Sequence, residues 1–304
     1  MHVAVAIVGF RNAEDIVRCL AALSGSRHAD FEVVICENGG PEAFEALGKA
    51  VPTALPGGQS VRLLQASGNL GFAGGVNLCM RETPGADAWW VLNPDTEPGP
   101  EALAAKVARL EVGDVQAVGG SLYRANGKVQ SHGGRWRSWL ARAESIGHGD
   151  AWPAQVDPKA VEASQNYLNG AAMLIGRRFV EAAGLMREDY FLYCEEVEWC
   201  LRARALGMRL GFAPGGAVLH HQGTTTGAGE NPARRPRMPV YLGERNKMLV
   251  TRDCYPSRLP VVTCTALMLA VLRYGRVLAW PQLINALQGW TAGLRNERGQ
   301  ASWM

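Results

Sequence analysis

The chain has 304 residues, enough to bury a sizeable core in one large α/β unit or about two domains. Charged residues make up 19% and hydrophobic residues 47%, which argues against a disordered chain, and a net charge of +3 is too small to predict a nucleic-acid partner. Seven cysteines, an odd number with no CxxC pair and no zinc-like His spacing, read as a reduced, cytoplasmic set.

The opening MHVAVAIVGF lacks a basic flank and a small-residue cleavage site, so Val3 to Val8 reads as a buried strand rather than a signal peptide. A helical pattern follows from Ala13 to Leu23, then a strand from Phe31 to Cys36, a helix from Glu42 to Ala50 and a strand from Val61 to Gln65. Phe72 to Arg81 is helical, and a fourth strand, Ala88 to Leu92, stops at the turn signal Asn93-Pro94. Pro100 is expected in the first turn of a helix ending at Leu110, before a strand from Val115 to Val118. Such βαβ alternation predicts an α/β fold: an open parallel sheet with helices on both faces and ligands beyond the carboxyl ends of its strands.

From Tyr123 to Gln165 the periodicity weakens, and this segment is expected to be a flap over an acceptor site. Order returns at Ala171 to Ile175, with helices near Arg178 to Ala183 and from about Glu195 to Leu206, and short strands at Arg209 to Ala213 and Ala217 to His220. Gly223 to Pro239 reads as a mobile loop. The rest is helical with breaks at Pro256, Pro260 and Pro281. The longest apolar run, Val261 to Leu272, falls short of the roughly 18 residues needed to span a bilayer. Flanked by Arg258, Arg273 and Arg276, it suits peripheral membrane association, an ordinary core helix or a homodimer contact.

Five segments have the residue types of a chemical site. Asn93-Pro94-Asp95 ends a strand at the edge where ligands bind, and a carboxylate there suits Mg²⁺ or Mn²⁺ against a diphosphate; Asn-Pro-Asp is equally a good turn. The stretch Gly68 to Asn77 lets backbone approach a ligand at a helix start, although it is neither a Walker loop nor a dinucleotide fingerprint. Glu195, Glu196 and Glu198 begin a helix, where the dipole stabilises them and Glu198 pairs with Arg202 at i,i+4. One of these glutamates, set against Phe191, Tyr193 and Trp199, would have the raised pKa of a useful general base. His220 and His221 are adjacent on a strand and point to opposite faces, so at most one can serve a metal in the cleft. Glu244-Arg245-Asn246-Lys247 offers two cations to a diphosphate, or simply an exposed helical face.

In this order the segments VAIVGFRN, VVICENGG, GNLGFAGGVN, WVLNPDTEP, YLNGAAMLIGR, FLYCEEVEWCLRARALG, AVLHHQGTTTG and YLGERNK resemble the inverting glycosyltransferases of family 2, in particular the rhamnosyltransferase-like branch that builds bacterial surface polysaccharides. The resemblance implies a GT-A fold: a Rossmann-like, mostly parallel sheet with helices on both faces, plus a C-terminal helical extension. Residues 1–120 would then be the nucleotide-sugar-binding half, 121–250 the acceptor-binding and catalytic half, and 251–304 the extension.

It also implies roles. Val8, Phe10 and Asn12 would wall the nucleobase and ribose, Glu37 would contact the nucleoside, and Asn69, Gly71, Phe72 and Gly74 would close on the nucleotide. Asn93 and Asp95 match the DxD-type element, with Asp95 and His220 as metal ligands. Glu196 falls at the catalytic-base position with Glu195 as its partner. Arg245 and Asn246 match a motif expected to touch the diphosphate or close the site. The donor so implied is a nucleotide diphosphate sugar, dTDP-rhamnose or a UDP-sugar, and the acceptor a glycan or lipid-linked glycan at the inner face of the cell membrane.

Positions 37 and 196 depart from the family's usual Asp, each side chain being one methylene longer. A carboxylate displaced by roughly 1 Å can cost a large rate factor. A non-catalytic sugar-nucleotide or glycan-binding module of the same fold is therefore the alternative reading.

Overall fold

The computed structural model describes residues 1–221 and 231–304. Strands β1 (Val3–Gly9), β2 (Phe31–Glu37), β3 (Val61–Gln65) and β4 (Ala88–Leu92) alternate with helices α1 (Ala13–Leu23), α2 (Pro41–Ala50) and α3 (Gly71–Arg81). These bounds follow the sequence pattern closely because each element carries a local signal. In α1, for example, Ile16, Cys19, Leu20 and Leu23 form a buried stripe and the Asn12 carbonyl accepts the N–H groups of Asp15 and Ile16.

The chain continues through β5 (Thr96–Pro98), α4 (Ala102–Glu111), β6 (Ala117–Tyr123), β7 (Val129–Ser131), β8 (Gly134–Arg137), β9 (Arg142–Ser145), α5 (Pro158–Ser164), β10 (Ala172–Gly176), α6 (Arg177–Ala183), α7 (Glu195–Ala205) and β11 (Leu210–His220). Helices α8 (Arg237–Cys254), α9 (Leu259–Gly275) and α10 (Trp280–Leu294) complete it. The main sheet has the order β3-β2-β1-β4-β10-β6-β11-β5, with β7 added to β6, and buried clusters lie on both of its faces. Val5, Ile7, Val33 and Ile35 pack with α1 and α4 on one face; Ala4 and Val91 pack with α3 and α7 on the other.

Several expectations are corrected. The sheet is mixed: β10 runs antiparallel to both β4 and β6, with Ala172 opposite Leu92 and Gly176 opposite Ala88. Its direction is fixed by entry, because the Asn93 N–H donates to the Ala171 carbonyl at 2.9 Å, so β10 starts where β4 stops and runs back. The two strands expected at 209–213 and 217–220 are one strand, β11, with an irregularity between Ala213 and Val218. Pro100 precedes the helical turns of α4, while Pro260 and Pro281 lie in the first turns of α9 and α10, where proline costs no hydrogen bond. The segment expected as a flap holds β7, the β8–β9 hairpin and α5, and Tyr123 stacks on Trp152 at 4.7 Å. Of the loop expected at 223–239, residues 223–230 lie outside the described residues, and α8 already begins at Arg237.

Helix α10 lies close against α8: a β-carbon added at Gly289 or Gly293 would meet the Tyr241 or Arg245 carbonyl at 2.2 or 2.6 Å. Val262, Ala266, Ala270 and Tyr274 form the buried stripe of α9. By length and composition alone, the 20-residue stretch Pro256–Gly275, counted with its polar leading turn, is long and apolar enough to cross a membrane.

Candidate active site

The site is built where β4 ends. Asn93, Pro94 and Asp95 turn into β5, the Thr96 hydroxyl donates to the Asn93 carbonyl at 2.6 Å, and the Asp95 side chain is buried. The last residue of β11, His220, brings Nε2 to 3.3 Å from Asp95 Oδ1. Its other ring nitrogen, Nδ1, lies 2.8 Å from Gln130 Oε1. His221 points the other way, with Nε2 at 2.7 Å from Glu97, as alternation along a strand requires. Gln130 was not singled out in the sequence: it lies in β7, within a segment whose pattern is weak.

The two adjacent glutamates open α7. The preceding turn contains left-handed residues, with φ of 67° at Phe191, 75° at Tyr193 and 67° at Cys194. Glu195 is buried, and its Oε2 has no hydrogen-bond partner among the described residues. Burial, reinforced by Glu196 beside it, pushes its carboxyl well above the usual range. Glu196 is half-buried, and loss of hydration raises its pKa to about 7 despite opposing help from backbone N–H groups. A methyl group at Gly170 would lie 3.5 Å from Glu196 Cγ and 3.7 Å from the Phe72 ring. Gly170 belongs to the turn whose Ala171 carbonyl binds Asn93. Thus the β4 turn with Asp95 and the α7 start with Glu196 meet across residues 169–171. Glu198 does not join them: it is buried and bound by Arg202, Nε to Oε1 at 2.8 Å and Nη2 to Oε2 at 3.1 Å.

The residues expected at the nucleotide lie at the neighbouring strand ends. Phe10 is exposed, Val8 packs on α3, and Asn12 Oδ1 accepts the Phe10 N–H at 3.0 Å. Glu37 is only 1% exposed, and its Oε1 accepts the N–H groups of Arg11 at 3.1 Å and Gly39 at 2.7 Å. Its longer side chain thus ties two loops together. Asn69 accepts the Gly71 N–H at 3.0 Å, and Asn38 holds the Gly71 carbonyl at 2.9 Å, so the start of α3 is fixed. Gly74 packs against Leu70.

Arg245 and Asn246 are placed differently from the expectation. Both are buried in α8, and their donors are spent on main-chain carbonyls of Tyr190, Leu192, Tyr193 and Gly299. Their burial rules out the exposed helical face. Helical periodicity turns these positions inward, and their polar ends meet the exposed carbonyls of the irregular turn before α7.

A mixed sheet flanked by helices, with further helices at the C-terminal end, is the fold of the GT-A class of glycosyltransferase. The solved structures agree on the fold: a Staphylococcus aureus TarS structure covering residues 1–349 aligns with a TM-score of 0.59 at 13% identity, over 96% of this chain and 81% of that one. The mannosyltransferase PcManGT from Pyrobaculum calidifontis, solved with GDP-Man and Mn²⁺, aligns with a TM-score of 0.56 at 15% identity, over 97% and 88%. Residues 2–236 match the family described as Glycosyltransferase like family 2, and the chain belongs to that family. It is 24% identical over 266 residues to the N-acetylglucosaminyl-diphospho-decaprenol L-rhamnosyltransferase of Mycobacterium tuberculosis, covering 80% of this chain and 84% of the relative. It is 23% identical over 269 residues to the low-salt glycan biosynthesis hexosyltransferase Agl10 of Haloferax volcanii, covering 87% and 80%. The protein is an enzyme, a glycosyltransferase.

Proposed function

We propose that the enzyme transfers a hexosyl group, L-rhamnose from dTDP-rhamnose, to a hydroxyl of a lipid-linked glycan in bacterial surface polysaccharide synthesis, with inversion at the anomeric carbon. The observations that carry this reading are the approach of His220 to Asp95 after β4 and the packing of both Asn93 and Glu196 against the 169–171 turn. The rhamnosyltransferase relative supports the sugar and the diphospho-lipid acceptor.

Glu196, with a pKa of about 7, takes the proton of the attacking hydroxyl. As that oxygen bonds to the anomeric carbon, the bond from this carbon to the nucleoside diphosphate breaks on the opposite side, and the electron pair leaves with the diphosphate. Burial and the neighbouring Glu196 raise the pKa of the Glu195 carboxyl, which opposes a second negative charge beside the base. Asp95 Oδ1 and His220 Nε2, 3.3 Å apart, would hold a Mg²⁺ or Mn²⁺ ion. Bound there, such an ion would stabilise the charge on the departing diphosphate.

A lipid-linked acceptor places the enzyme at a membrane surface, and α9 with the start of α10 is suited to one. From Leu259 to Leu294 the chain has no Asp or Glu and two arginines, Arg273 and Arg276. Met268, Val271, Leu272, Leu278, Trp280 and Ile284 are exposed there.

The test is a panel of dTDP-, UDP- and GDP-sugars with a synthetic N-acetylglucosaminyl-diphospho-lipid, with and without Mn²⁺, the product linkage read by NMR. Rhamnosyl transfer with inversion is expected. Transfer from another donor alone would overturn the sugar assignment, and retention of configuration would overturn the mechanism.

A further inference from the structure

The turn that aims the two glutamates has an unusual geometry for its sequence. Phe191, Tyr193 and Cys194 all take positive φ, a region that bulky side chains rarely enter without outside support. That support comes from a distant helix. Asn246 Nδ2 lies within hydrogen-bond distance of three turn carbonyls, Tyr190 at 3.0 Å, Leu192 at 2.9 Å and Tyr193 at 2.7 Å. Arg245 Nη2 donates to the Tyr190 carbonyl at 2.9 Å, and its Nε donates to Asn246 Oδ1 at 2.8 Å. This last bond fixes the amide: the guanidinium only donates, so the Asn246 oxygen must face it, and the NH₂ group must face the carbonyls, which only accept. Arg245 Nη1 donates to the Gly299 carbonyl at 2.6 Å, so each of the three guanidinium nitrogens is engaged by the protein itself.

We infer that Arg245 and Asn246 are positioning residues for Glu196, acting as a clamp that holds the left-handed turn and so sets where α7 presents the catalytic carboxylate. This deepens the reading of Glu196 as the base and rests on it. Asn246 and Arg245 together serve the carbonyls of Tyr190, Leu192 and Tyr193, while the Phe191 carbonyl is held by the Phe72 N–H at 2.8 Å. Without the clamp the turn has lower-energy conformations available, and Glu196 begins within three residues of the last clamped carbonyl. A small change in the turn is amplified at that side chain.

The test uses the full chain with Asn246→Ala and Arg245→Lys, the lysine being able to replace one donor but not to orient the amide. Turnover, donor affinity by calorimetry, melting temperature and the pH dependence of turnover are measured together. A displacement of about 1 Å predicts a kcat lower by ~10- to 100-fold with donor Kd unchanged. The groups facing Glu196 are Glu195 on its own helix, Tyr167 beside the 169–171 turn and Cys200 one turn on; Lys247 and Glu244 of α8 face Cys194. None of these changes charge in the variants, so entry of water is expected to move the midpoint of the rate profile toward acid. A merely structural role would lower the melting temperature and leave kcat and the midpoint of the folded protein as they are. That outcome overturns the inference. Loss of donor binding in step with kcat also overturns it, returning the pair to the donor site. Should Asn246→Ala not fold, Arg245→Lys and Asn246→Ser carry the same measurements. Glu196→Gln, run alongside, separates the two levels: full turnover in that variant would remove Glu196 as base, whatever the clamp does.

Discussion

The Phe72 N–H donates to the Phe191 carbonyl at 2.8 Å, joining the first turn of α3 to the turn that precedes the two glutamates. Gly71, at φ 71°, makes this approach feasible: a β-carbon there would sit 2.1 Å from the same carbonyl oxygen. The start of α3 and the turn before α7 are therefore in direct main-chain contact.

Gly71→Ala is expected to force these segments apart. Transfer should fall by ~100-fold or more, with stability reduced as well because the residue sits at positive φ. Steady-state kinetics on the folded fraction, with melting temperature as control, checks this; near-normal turnover would show that the contact is dispensable.

Glu196→Gln should abolish transfer while leaving donor affinity nearly unchanged, since the amide cannot take the proton. In the native enzyme kcat/KM is expected to rise with pH to a plateau, with its midpoint near about 7. The sign for stability is opposite. A carboxyl raised from 4.5 to about 7 binds its proton more tightly when folded, so its contribution is full below pH 4.5 and is lost as pH rises through about 7. A rate profile that is flat between pH 5 and 8 would contradict the assignment.

Gln130→Leu tests the proposed metal site without touching Asp95 or His220. The variant loses the contact of Gln130 Oε1 with His220 Nδ1, and Mn²⁺ affinity in the presence of donor should weaken by ~10-fold. Electron paramagnetic resonance of free Mn²⁺ measures this independently of turnover. Asp95→Asn should weaken it further, and chelation with EDTA should stop transfer until Mn²⁺ or Mg²⁺ is restored.

Lys106 in α4 is wholly buried, donates to the Gly216 carbonyl and lies 5.4 Å from the Trp90 ring centroid. Burial lowers its pKa from 10.5 to about 7. Between those values the unfolded chain binds more protons, so stability rises with pH over that window and this contribution is lost as pH falls through about 7. Denaturant titrations at pH 7 to 10 should show the slope, and Lys106→Met should flatten it; identical slopes would remove Lys106 as its source.

Leu278→Glu with Trp280→Glu should reduce flotation with anionic vesicles of phosphatidylglycerol and phosphatidylcholine, leaving turnover on a soluble acceptor unchanged. Both side chains are exposed and neither belongs to the site. Flotation equal to that of the parent, or a dimer dispersed by the same changes, would assign this face to something other than lipid.

How much of this was legible beforehand can be argued residue by residue. The apolar alternation of Val3 to Val8, the helical stripe of Ile16, Cys19, Leu20 and Leu23 and the i,i+4 pair Glu198–Arg202 are local patterns, and local patterns set the bounds of the first four strands, their helices and the start of α7. The order of motifs then carried the family. What the sequence determined by itself was the set of elements, the family and the residue types available for chemistry. The tertiary structure decided which of them meet. The reversed direction of β10, the alignment of Gln130 with His220 and the grip of Asn246 on Tyr193 join positions between about 50 and 90 residues apart or depend on a strand-end hydrogen bond. A buried polar group takes whichever partner the packed core brings within reach, and periodicity carries no record of that choice.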